Sequence, residues 1–92
     1  MGNFTPSLYR TPLFEVGIKH HREGSVWPAH YQIKATEYNC LIAGMMLVQH
    51  RKLLPNDLFT ISPGEVVKPC FLTDCTVVVV KVPSLPHDKV IL

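Results

Sequence analysis

Ninety-two residues make one domain, too short for two lobes around a cofactor cleft. Apolar residues are 47% and charged residues 17%, a balance that excludes intrinsic disorder and predicts an apolar surface patch of the kind subunits bury between them. The formal net charge is +2, and only Arg51 and Lys52 of the nine basic residues are adjacent, so nucleic acid is not an expected partner. No apolar run approaches the ~18 residues of a membrane helix, so a membrane is not expected either.

Residues 1–12, with Gly2, Pro6 and Pro12, read as an irregular N-terminal arm without the basic and apolar regions of a signal peptide. Residues 13–92 read as the folded domain. Phe14, Val16 and Ile18 alternate with Glu15, Gly17 and Lys19, which predicts a strand whose apolar side is covered. A loop over 22–28, with Gly24 and Pro28, leads to a short strand near 29–33. Two apolar runs, 38–43 and 45–50, flank Gly44 and predict a hairpin turning there. Leu54-Pro55-Asn56-Asp57 and Ser62-Pro63-Gly64 are turn signals on either side of a strand at 58–61. Strands are expected at 66–72 and 76–82, the second carrying four consecutive valines suited to burial on both faces. Pro83 stops it, and residues 89–92 read as a short edge strand. Seven to nine short strands with no amphipathic helix predict an all-β barrel or sandwich.

Cys40, Cys70 and Cys75 are odd in number and form no CxxC pair, so neither a disulfide framework nor a structural zinc site is expected. Free thiols fit a reducing cytoplasm, and Cys70 and Cys75 read as small apolar residues. Adjacent on a strand, His20 and His21 point to opposite faces, so both cannot line one pocket. Trp27 reads as an anchor for its loop.

The segment from Gly24 to Gly44 carries the chemistry. Gly24 is followed at fixed intervals by His30, Gln32, Glu37 and Gly44. This spacing resembles the first motif of the cupin superfamily, with Gln32 where the second histidine of a His-x-His pair belongs. A second motif, laid over Asn56, Ser62, Gly64, Val67 and Phe71, agrees only at Gly64 and places Val67 where a third histidine belongs. The blocks His30-Tyr31-Gln32 and Thr36-Glu37-Tyr38-Asn39, with the closing Val80-Lys81-Val82-Pro83, are also similar to small single-domain cupins.

The resemblance implies a double-stranded β-helix, a jelly-roll-like barrel, whose interior holds iron, manganese, nickel or zinc on three imidazoles and a carboxylate. Here the corresponding positions are His30, Gln32, Glu37 and Val67, and only His30 and Glu37 are ordinary ligands. The expectation is therefore no cofactor, with a hydrogen-bonded polar cluster of His30, Gln32 and Glu37 inside the barrel. His30, Gln32, Glu37, Asn39 and Val67 are the candidate ligand-pocket residues. The expected protein is a cytoplasmic homodimeric cupin that binds a small molecule or serves as a structural module. Two alternatives stay open. One is a metal-dependent oxygenase or isomerase using a divalent metal on His30, Gln32 and Glu37, with an added ligand from His50 or from a partner chain. The other is a metal-free sugar isomerase or epimerase with His30 as base and Glu37 as orienting carboxylate.

Overall fold

The computed structural model describes residues 7–11, 13–85 and 87–92, with the backbone alone for 7–10. Among the described residues there are ten strands and no helix: β1 (Ser7–Arg10), β2 (Glu15–His21), β3 (His30–Gln32), β4 (Thr36–Ala43), β5 (Met46–Val48), β6 (Arg51–Leu53), β7 (Leu58–Ile61), β8 (Cys70–Phe71), β9 (Cys75–Val82) and β10 (Lys89–Ile91). A five-stranded sheet in the order β1-β2-β9-β4-β7, a three-stranded sheet β6-β5-β8 and a two-stranded sheet β10-β3 make up the barrel. No described helix is long and apolar enough to cross a membrane.

The valine run sits at the centre. β9 pairs antiparallel with β2 on one side and β4 on the other, so nearly every backbone group of this β-branched stretch enters a ladder. Val77 and Val79 are buried, whereas Val78 and Val80 point to the outer face and are only half covered. The inner valines join Leu41, Met46, Phe71 and Ile61 in one apolar core. Leu41 is completely buried, and deleting a side chain of that kind costs roughly 2–5 kcal/mol.

Four local expectations change. Residues 7–10 are not irregular: they form an edge strand on β2, while 1–6 and 12 lie outside the described residues. The inward side of β2 is its polar one. Glu15 and Gly17 are buried and Lys19 lines the interior, while Val16 and Ile18 face outward. Period two gives the alternation but not the direction, and here the barrel interior is partly polar. Gly44 does not turn a hairpin, because β4 and β5 belong to different sheets. It is a corner at φ +97°, and a Cβ there would collide with the Asp74 carbonyl, Cys75 Sγ and Thr73 Oγ1. The hairpin lies later, where β5 pairs with β6 through Gln49 and His50, both with positive φ. Positive φ at both central positions defines a type I′ turn. His50 therefore sits exposed in a turn, not in a strand. Of the strand expected over 66–72, only Cys70–Phe71 pairs regularly, the rest being reduced to single bridges from Val26 to Cys70 and from His30 to Val67. Pro69, which has no N–H to give, interrupts the ladder.

Candidate functional site

β3 and β4 are joined by a three-residue turn that fixes the polar centre. The buried carboxylate of Asp88 accepts hydrogen bonds from the backbone N–H groups of Lys34 and Ala35 at 2.9–3.2 Å, and its carbonyl accepts from Ile33 N. This clamp turns the chain so that Gln32, at the end of β3, faces Glu37, at the start of β4. Gln32 Nε2 donates to Glu37 Oε2 at 2.8 Å in a buried contact. On the far side of β3, His30 and Val67 exchange backbone hydrogen bonds of 2.9 and 2.8 Å.

These residues open on one cavity, with a volume of about 50 Å³, half open to solvent. His30, Gln32, Glu37, Asn39 and Val67 all line it. His30 Nδ1 lies 3.0 Å from the Pro28 carbonyl. A carbonyl only accepts, so Nδ1 carries the proton and Nε2 remains an acceptor. Burial lowers the His30 pKa, opposed by the Pro28 hydrogen bond, so the ring is neutral at pH 7. Two buried polar atoms of residues that line the cavity make no hydrogen bond among the described residues: Gln32 Oε1 and Asn39 Nδ2. Gln32 is 2% exposed and Asn39 6%. A buried polar atom left unpaired costs about 1–3 kcal/mol, so two at one cavity call for an explanation.

The site also holds residues that the sequence did not point to. Lys19 from β2, Lys81 from β9 and Lys89 from β10 line the same cavity. The basic residues that look scattered along the chain are thus partly gathered by the sheet order. Lys81 stands in register with Glu15 on one neighbouring strand and Glu37 on the other, a Glu–Lys–Glu row across the inner face. Lys89 stands opposite Gln32. Trp27 lines the cavity beyond its loop-anchoring role, with Lys19 Nζ 5.0 Å and Lys89 Nζ 4.6 Å from its ring centroid, within cation–π range. His21 stacks on Phe71 at 4.0 Å and meets Trp27 edge-on at 5.1 Å. Its neighbour His20 points the other way, toward Thr76 Oγ1. Burial, then the Lys19 and His20 charges, push the His21 pKa down to about 4. Burial likewise lowers Lys19 to about 8, against the pull of Glu37. Lys81 and Lys89 are lowered by burial as well.

The side chains do not make the metal-binding set that the sequence resemblance implies. Among the described residues no group of three or more His, Cys, Asp and Glu converges to hold an ion. The Gln32 amide presents its NH₂ to Glu37, Val67 offers no donor atom, and the added neighbours are cations that would repel a metal ion.

No family model matches the chain, and no curated protein matches it. Solved structures do. An uncharacterised conserved protein with a double-stranded β-helix domain from Klebsiella pneumoniae superposes with a TM-score of 0.80 at 16% identity, over 92% of this chain and 79% of that one. KdgF from Halomonas sp. gives 0.77 at 18% identity, over 86% and 76%. The fold is that of the cupins. DMSP lyase DddQ from Ruegeria pomeroyi shares it at a TM-score of 0.75 and 20% identity, over 88% of this chain and 44% of the lyase. The cupin fold thus carries a named enzyme and an uncharacterised protein alike, and activity is read from the site.

Proposed function

We propose that the chain is a cupin-fold module that binds a small molecule in its interior without a metal ion. The observation that carries this reading is the pair of orphaned atoms, Gln32 Oε1 and Asn39 Nδ2, buried at a cavity open to solvent. A ligand that hydrogen-bonds both supplies what the protein does not. The donor set supports metal independence, since two of four expected ligand positions hold a neutral amide and a valine. Incubation with iron(II), manganese, nickel or zinc followed by dialysis tests it: retained metal well below one ion per chain is expected. Retention of one ion per chain overturns the reading.

The module acts as a homodimer in the cytoplasm. Free Cys40, Cys70 and Cys75 support a reducing compartment. The outer face of the large sheet supports self-association. Its rows read Val16–Val80–Tyr38–Thr60 and Ile18–Val78–Cys40–Leu58 across β2, β9, β4 and β7, with no charged side chain in either. Tyr38 is 51% exposed and Leu58 72%. A flat apolar face without charges suits a second copy of itself better than a charged partner.

A further inference from the structure

The charges at the cavity cancel. Lys19, Lys81 and Lys89 line it, and three carboxylates answer them: Glu37 on the lining, with Glu15 and Asp88 buried close enough to act on Lys81. Lys81 stands in register between Glu15 and Glu37, and Glu37 also acts on Lys19 and Lys89. His21 and His30 are neutral at pH 7. An ion brought into this balanced, part-buried group adds a charge that nothing there offsets, so the site favours an uncharged ligand.

What is left over is neutral hydrogen-bonding capacity, and it has a definite count. His30 and Gln32 sit two residues apart on β3, as Glu37 and Asn39 do on β4, so each pair shares the inner face of its strand. The hydrogen bond from Gln32 to Glu37 ties the two pairs together. Gln32 Oε1 accepts from no group among the described residues, and Asn39 Nδ2 donates to none. His30 gives its Nδ1 proton to the Pro28 carbonyl, and its Nε2 lone pair meets no donor among the described residues. Two acceptors and one donor therefore await a ligand. A carboxylate has no proton to donate, an ammonium has no lone pair, and a hydroxyl donates only once. A primary amide donates twice and accepts through its carbonyl, which matches the count. The volume limits the size. At roughly 10–15 Å³ of such space per water, about 50 Å³ takes around four water-sized groups, so a carboxamide with one carbon attached fits inside, and anything longer projects into solvent. Phe59, Met46 and Val48 on the lining suit a short carbon chain.

We infer that the ligand of this cavity is a small uncharged primary carboxamide, its carbonyl accepting from Asn39 Nδ2 and its NH₂ donating to Gln32 Oε1 and His30 Nε2. The inference rests on the reading of the cavity as a ligand site. In it, the lysines belong to the protein's own charge network, and recognition falls to the neutral side chains of β3 and β4.

Trp27 is the single tryptophan of the chain and lines the cavity, so its fluorescence reports occupancy. The probes are propionamide, 1-propanol, methyl acetate and propionate, similar in size and titrated at constant ionic strength. Propionamide is expected to bind saturably. 1-Propanol, one donor short, is expected to bind about tenfold more weakly, methyl acetate, with no donor, more weakly still, and propionate not at all. Asn39→Leu keeps the shape and removes the donor. It is expected to weaken propionamide about tenfold while the urea midpoint of the free protein stays at or above that of the wild type, because no hydrogen bond among the described residues is lost. Propionate bound as tightly as propionamide overturns the uncharged ligand. 1-Propanol or methyl acetate bound as tightly, or an Asn39→Leu chain that binds like the wild type, overturns the amide, and the probe series decides even where that variant does not fold. Each of these outcomes leaves the ligand site standing. If no probe alters Trp27 fluorescence or shifts the Gln32 and Asn39 side-chain amide resonances, the ligand-site reading falls with the inference.

Discussion

His21 and Lys19, two residues apart on the inner side of β2, both make stability rise with pH, but in different windows. Folded, His21 stays neutral down to about pH 4, whereas the unfolded chain protonates it near the ordinary 6.5. The unfolded state thus binds more protons between those values, and stability present above pH 6.5 is lost as the pH falls toward 4. His30 acts in the same direction. Urea midpoints measured from pH 7.5 to 4 are expected to fall, and His21→Phe, which preserves the stack on Phe71, is expected to flatten the slope. Lys19 acts with the same sign at higher pH. Its folded pKa is about 8 against 10.5 unfolded, so at neutral pH the buried charge destabilises the fold, and that cost disappears as the pH rises from 8 to 10.5. Lys19→Met is expected to raise stability at pH 7 by on the order of 1–3 kcal/mol. A destabilised Lys19→Met would show that the contacts of the ammonium outweigh its burial cost.

The elements show what was legible and what was not. The interval from Gly24 to Gly44 was legible because turns constrain sequence tightly: both glycines have positive φ, and Gly44 has no room for a Cβ. Gly44→Ala is expected to cost ~2 kcal/mol or more in chemical denaturation. The strand at 58–61 and the valine strand were legible from β-branched content and bounding turns. The direction of β2 was not, because an alternating strand reads the same whether its polar side meets water or a polar cavity. The Gln49–His50 turn was hidden because neither residue is the glycine or asparagine that usually marks a type I′ loop. The lysines were hidden for a topological reason. Positions 19, 81 and 89 meet only once β2 lies beside β9, and β10 beside β3, and no local pattern encodes those pairings. Asp88, whose carboxylate shapes the turn between Gln32 and Glu37, is separated from it by more than fifty residues for the same reason.

On the scale of the whole molecule, the large sheet divides two tasks. Its inner face grades from a charged end, Glu15–Lys81–Glu37, to an apolar end around Val77 and Leu41. Its outer face is apolar, with Tyr38 and Leu58 exposed among the described residues. Sedimentation is expected to give a dimer of the 10.4 kDa chain, and Tyr38→Lys with Leu58→Lys to give a monomer that keeps the fold. A wild-type monomer at high concentration would refute the sheet-to-sheet pairing. We propose a cavity that takes a ligand without a metal ion, because Gln32 and Val67 stand at two of the positions where the cupin resemblance places metal donors. The most direct measurement compares metal affinity in the wild type and in a chain carrying Gln32→His and Val67→His, titrated with nickel or manganese under the same conditions. Restoring two imidazoles beside His30 and Glu37 is expected to tighten binding by at least ~100-fold, since losing a mere outer-shell partner costs ~10–100-fold. A wild-type chain that holds the ion as tightly as the rebuilt one would contradict the account.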